Sequence, residues 1–158
     1  MILYLDSSAI VKQYAVERGS AEIQVAAASA QIIGTTVLSR AEVAAAFKKG
    51  CRTKALNEKS AKTLLRDFNR EWPNLIRLRV TERLTKHAST LAWDLNLRGY
   101  DSVHLASAAA WQQALERAVT VATFDSAMWE AAQKIGLASF PPDLPQLLES
   151  WRTPSGVS

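Results

Sequence analysis

The sequence predicts an α/β protein built on a mostly parallel sheet of four or five short strands, flanked by helices on both faces. Short runs dominated by apolar residues, unbroken at 2–5 and interrupted only by Thr120 at 119–121, suit strands covered on both sides; a strand with one wet face would alternate apolar and polar residues. Stretches with apolar residues at helical spacing separate these runs, and such strand–helix alternation is the pattern of parallel sheets. A chain of 158 residues with 48% apolar content can fill one continuous core, so a single domain is expected.

The elements follow in order. After the first strand, Ser7 and Ser8 can cap a helix whose apolar side is Ala9, Ile10, Val11 and Tyr14. A second helix is expected over 20–30, and Ile32 and Ile33 open another buried strand that ends near Thr35 or Thr36. The alanine-rich stretch 39–49 reads as helix, and 57–72 places Leu64, Leu65, Phe68 and Trp72 at helical spacing; together these two suggest a helical arm. Pro73 stops that helix, and Leu75, Ile76 and Leu78 mark a third strand, whose polar partners put it near a sheet edge. Thr81 can cap a helix carrying Leu84, Ala88, Leu91 and Leu95, with Gly99 as its expected end. An alanine-dominated helix then runs from Asp101 to about Leu115, suited to close packing on the sheet. The fourth strand is 119–121, a helix runs from Asp125 to Lys134 with Gly136 closing it, and 137–140 is a last short strand. Pro141, Pro142, Pro145 and Pro154 mark 141–158 as a C-terminal tail with one amphipathic turn around Leu147, Leu148 and Trp151, which leaves 1–140 as the folded domain.

Composition narrows the class. A lone Cys51 makes no internal disulfide and no thiolate metal cage, which points to the cytosol. Asp6 interrupts the first apolar run at once and no later segment reaches membrane-spanning length, so neither export nor insertion is expected. A net charge of +4 and a pI near 9.4 are compatible with an anionic partner. The basic residues are unevenly spread, for Lys48, Lys49, Arg52, Lys54, Lys59, Lys62, Arg66 and Arg70 crowd one stretch; that stretch is either a solvated helix face or a patch that touches phosphates. Trp72, Trp93, Trp111, Trp129 and Trp151 lie mainly on helical segments and read as core or interface packing rather than base-stacking platforms.

Four acids stand where this architecture binds ligands, beyond the carboxyl ends of its strands. Asp6 follows the first strand, Glu42 lies in the helix after the second, Asp101 opens the alanine-rich helix and Asp125 follows the fourth strand. Carboxylates confined together oppose one another's ionisation, and a divalent cation relieves the repulsion. Mg²⁺ and Mn²⁺ prefer oxygen ligands, and Mg²⁺ often takes only one or two carboxylates directly. Each acid also has a plain local explanation. Asp is a preferred N-cap, and Ser39-Arg40-Ala41-Glu42 reads as a capping box. Their shared end of the sheet is what favours a site. His104, among Val103, Leu105 and Ala106, reads as a hydrogen-bonded core histidine, while the hydroxyls of Ser8 and Thr123 can support the acids or cap helices.

Four ordered segments then carry a resemblance: Leu-Tyr-Leu-Asp-Ser-Ser-Ala-Ile-Val-Lys at 3–12, Ser-Arg-Ala-Glu-Val at 39–43, Arg-Gly-Tyr-Asp-Ser-Val-His-Leu-Ala at 98–106 and Thr-Phe-Asp at 123–125. In order and placement they resemble the PIN domain, specifically the VapC toxins, over about residues 1–140. The resemblance implies a ribonuclease using Mg²⁺ or Mn²⁺, with Asp6 and Asp101 as main metal ligands, Glu42 and Asp125 completing the site directly or through water, and Ser8 and Thr123 at small hydroxyl positions. It also implies a homodimer and a cognate VapB-like antitoxin. Lys48, Lys49, Lys62 and Arg66 are then the candidate RNA contacts. Two other readings are a noncatalytic RNA- or partner-binding module of the same fold, and an aspartyl-phosphate phosphatase with Asp6 as nucleophile. The phosphatases of that type repeat Asp two positions later, where this chain has Ser8.

Overall fold

The computed structural model describes residues 1–152; the end of the predicted tail, including Pro154, lies outside the described residues. Five strands, β1 (Ile2–Leu5), β2 (Ile32–Thr36), β3 (Ile76–Leu78), β4 (Val119–Ala122) and β5 (Ala138–Phe140), form one sheet in the order β3-β2-β1-β4-β5, with every pairing parallel. This is the predicted α/β architecture. The unbroken apolar run of β1 is explained by its central place. Leu3 and Leu5 enter the core on one face with Val43, Phe47 and Phe68, whereas Ile2 and Tyr4 enter the other with Leu105, Ala108 and Trp111. β3 lies at an edge, as its mixed composition predicts, and Ile76 and Arg77 are exposed.

Helices α1 (Ser7–Tyr14), α2 (Ser20–Ser29), α3 (Ser39–Arg52) and α4 (Glu58–Glu71) contribute to the first core cluster. α5 (Glu82–Leu95), α6 (Gly99–Leu115) and α7 (Ser126–Lys134) contribute to the second. The small residues of α6 allow a close approach: an added Cβ on Gly34 of β2 would lie 2.6 Å from the Trp111 ring, so only glycine fits beneath that indole. Among the tryptophans, Trp72 and Trp111 are buried, while Trp93 on α5 is 88% exposed.

Three local expectations are corrected. The 39–49 and 57–72 helices do not stand out as an arm, because each buries one face in the core through Val43, Phe47, Ala61, Phe68 and Trp72 and exposes the other. Gly99 does not end α5. Asn96 does, in the left-handed conformation that Asn tolerates, and Gly99 is the first residue of α6. Part of the predicted tail is a helix, α8 (Leu144–Arg152), which buries Leu144 and stacks Trp151 on Phe124 at 6.0 Å between ring centroids.

The chain runs outward from β1 to β2 and β3, then returns to add β4 and β5 on the other side. The direction of winding therefore reverses at β1, and a crevice forms outside the carboxyl ends of β1 and β4.

Candidate active site

Asp6 is the first residue past β1 and caps α1, its Oδ1 accepting a hydrogen bond from the Ala9 amide at 2.7 Å. Ser8 donates its hydroxyl to the same carboxylate at 2.7 Å, and Thr123, just past β4, donates to Oδ2 at 2.6 Å. The two turns are tied again by the Phe124 amide, which donates to Ser8 Oγ at 3.1 Å. Asp6 is 5% exposed, and burial pushes its carboxyl above the usual range despite the nearby His104 and these donors. A buried carboxylate held by three neutral donors is a place where a cation would be strongly favoured.

Asp125 caps α7 through the Met128 amide at 3.0 Å and turns its other oxygen to Arg98. Asp101 is not a cap, since it sits in the first turn of α6 and Arg98 holds the N-cap position. Arg98 bridges the two acids, with Nε 2.7 Å from Asp101 and Nη2 2.9 Å from Asp125. Its guanidinium is a cation already placed between two of the four carboxylates.

Glu42 does not belong to a capping box. Leu38 is the N-cap of α3, and the Ser39 hydroxyl is buried against Thr35 Oγ1 at 2.6 Å. The Glu42 carboxylate instead accepts from Ser7 Oγ at 2.6 Å and meets His104 Nε2 at 2.7 Å. Burial alone would raise this carboxyl, yet the hydrogen bond from His104, helped by Ser7, holds it below its ordinary value. His104 is a buried, hydrogen-bonded histidine of the core at 2% exposure, and its partner is one of the four acids.

Asp6, Glu42, Asp101 and Asp125 all line one cleft of about 620 Å³, with Ser8 at its wall and Thr123 buried behind Asp6. Of the four candidate RNA contacts, Lys49 lines it too. Lys48 and Lys62 instead pair with Glu58, and Arg66 pairs with Asp67. Sequence reasoning gave no site role to Arg98 or Ser7, which line the cleft, and placed Arg52, which lines it too, only within the general basic stretch. For Arg52 a signal existed: Glu42, Ala45, Ala46, Lys49 and Arg52 recur at helical spacing and form one face of α3. For Arg98 the signal was its place three residues before Asp101.

The donor set is all oxygen, the chemistry that Mg²⁺ and Mn²⁺ prefer. Among the described residues no three His, Cys, Asp or Glu side chains are gathered tightly enough to hold a metal ion by themselves. Mg²⁺ commonly takes only one or two carboxylates directly and keeps several waters, so a site of this kind needs no closed cage of side chains.

The model of the PIN domain matches residues 3–134, a span that contains all four acids and both halves of the sheet. The chain belongs to the PIN-domain family. Within that family it is similar to ribonuclease VapC45 of Mycobacterium tuberculosis (strain CDC 1551 / Oshkosh), with 30% identity over 143 residues, 90% of this chain and 97% of the relative. Solved structures share the fold. FitAB bound to the IR36 DNA fragment superposes with a TM-score of 0.62 at 18% identity, covering 90% of this chain and 95% of that one. A toxin–antitoxin complex from Klebsiella pneumoniae gives 0.60 at 12% identity, covering 89% and 98%. In this PIN domain, the family model ends inside the sheet's last α/β unit, so β5 and α8 lie beyond the matched residues.

Proposed function

We propose that this PIN domain is a metal-dependent endoribonuclease, a VapC-type toxin that hydrolyses RNA phosphodiester bonds and is inhibited by a cognate VapB-like antitoxin. The observation that carries the reading is the opening of Asp6, Glu42, Asp101 and Asp125 onto one cleft, with Lys49 and Arg52 farther along the same wall. Asp6 and Asp101 would hold Mg²⁺ or Mn²⁺, with Asp125 beside them. When bound, the ion supplies a Lewis acid for the phosphoryl oxygens and makes water a better nucleophile near neutral pH.

The chain's own groups do the rest. Glu42, fixed by Ser7 and His104, orients the attacking water and can accept its proton. Thr123 and Ser8 fix the rotamer of Asp6. An acidic cleft repels RNA, and Lys49 and Arg52 offset that repulsion. They lie two and three turns along α3 from Glu42, about 10 and 15 Å at the helical rise, and so reach phosphates flanking the scissile one. No side-chain nucleophile is needed. The likeness to a toxin–antitoxin complex supports an antitoxin partner, and the resemblance to VapC toxins supports a cytoplasmic homodimer.

The test uses the purified full chain and a pool of short single-stranded RNAs under single-turnover conditions. Cleavage is expected with Mg²⁺ or Mn²⁺, and neither after chelation nor in Asp101→Asn. Parental cleavage in either control would overturn the reading. RNA binding without cleavage under any metal would make the chain a binding module of the same fold.

A further inference from the structure

Burying an imidazole in the middle of a helix is costly unless both nitrogens find partners. His104 lies on α6 between Val103 and Leu105, yet both of its ring nitrogens are engaged. Nδ1 is 2.9 Å from the Tyr4 hydroxyl of β1, and Nε2 is 2.7 Å from Glu42 Oε2 of α3, with Ser7 Oγ at 3.3 Å. Tyr4 is fully buried, and the rings of Tyr4 and His104 meet edge to face at 5.9 Å. We propose that His104 is a positioning residue for Glu42, and that Tyr4 sets the imidazole tautomer that allows it.

The direction of the hydrogen bonds follows from chemistry. An ionised carboxylate only accepts, so the hydrogen of that contact must sit on Nε2. A neutral ring with its hydrogen on Nε2 presents a lone pair at Nδ1. The Tyr4 hydroxyl, 2.9 Å away, donates to that lone pair. Hydroxyl to imidazole to carboxylate, the chain of donors runs one way from the sheet core to the cleft.

Its effect on Glu42 is specific. Both donors, His104 Nε2 and Ser7 Oγ, converge on Oε2. Oε1 takes no hydrogen bond from the described residues. One oxygen is clamped and the other is left for the reaction. A free glutamate has three side-chain torsions to order, and fixing them beforehand removes that entropy loss from the reactive complex. This role rests on the reading of the cleft as the site of RNA cleavage.

The experiment compares two amides that each reproduce half of the imidazole. In His104→Gln the side-chain amide reaches the place of Nε2 and can still donate to Glu42; in His104→Asn it reaches only the place of Nδ1. Loss of such a supporting hydrogen bond typically costs about 10- to 100-fold in activity, so His104→Asn is expected to lower the single-turnover rate by that factor. RNA affinity should change little, and His104→Gln should recover most of the rate. Both variants replace a ring by an amide, so similar urea midpoints accompanied by different rates exclude a merely structural role. Asp6→Asn is the control for the site itself. If it cleaves like the parent, the reading of the cleft fails. If Asp6→Asn is inactive while folded His104→Asn cleaves at the parental rate, only the positioning role fails. A further readout needs no variant: ¹⁵N-histidine NMR of the parent should show hydrogen on Nε2 of His104, and a ring with hydrogen only on Nδ1 would overturn the proposal.

Discussion

Arg98 grips Asp101 with its Nε at 2.7 Å, and the same guanidinium reaches Asp125 at 2.9 Å. The contact neutralises two acids that would otherwise repel each other, at the position where a divalent ion is proposed to sit. Arg98 is largely exposed, so the pair is screened and is worth roughly 0.2–1 kcal/mol. Removing the competing cation by Arg98→Gln should therefore tighten Mn²⁺ binding by up to about fivefold, read by titration calorimetry on RNA-free protein. Weaker binding in the variant would show that Arg98 supports the ion rather than competing with it.

Asp125 combines a cap and a charge, and two substitutions separate them. Asn is as good an N-cap as Asp, so Asp125→Asn should keep the thermal midpoint of the metal-free protein nearly unchanged while abolishing cleavage. Asp125→Ala should abolish cleavage as well, and in addition lose about 1 kcal/mol of stability with the Met128 amide left uncapped. Cleavage by Asp125→Asn at the parental rate would reduce this residue to its cap.

The basic residues divide by position. Replacing Lys49 and Arg52 should flatten the log–log salt dependence of RNA binding by roughly 0.7 per lost phosphate contact. Replacing Lys62 and Arg66, which pair with Glu58 and Asp67 away from the cleft lining, should leave the slope as it was. A slope that falls only in the second pair would move the RNA path to α4.

Glu42 gives a signature in pH. Its carboxyl is held below the ordinary value of 4.5 in the fold, because His104 and Ser7 outweigh burial. On acidification the unfolded chain takes up the proton first, so the stability contributed by the ionised group is complete above about 4.5 and is lost as pH falls through the folded value. Urea midpoints of parent and Glu42→Gln, compared without metal, should therefore draw together below about pH 4. A gap that stays constant across that range would mean the Glu42 charge makes no net contribution to folding.

What the sequence revealed and concealed follows the range of the interactions. The unbroken run of β1 and the alanines of α6 announce burial by themselves, and Asp6 and Asp125 sit at helix starts that local pattern locates. Glu42 was ambiguous because Ser39 three residues earlier supplies a local partner on paper. In the fold Ser39 faces Thr35, and Glu42 turns to His104, 62 positions away. Nothing local encodes that choice. Arg98 is similar, since its bond to Asp101 is short-range while its bond to Asp125 exists only once β4 has joined the sheet. Gly99 misled for a different reason: a glycine after a periodic stretch usually marks a helix end, but Asn96 had already taken the left-handed turn.

The strand order also sets a clock on biosynthesis. β1 can pair with β2 early, but its other neighbour, β4, begins at Val119, opposite Ile2. Asp101 and Asp125 reach Asp6 only after that pairing. A nascent chain that has exposed only its first hundred residues thus carries two of its four cleft acids and no wall opposite them. The four-acid cleft is therefore complete only once Asp125 has emerged and β4 has paired with β1.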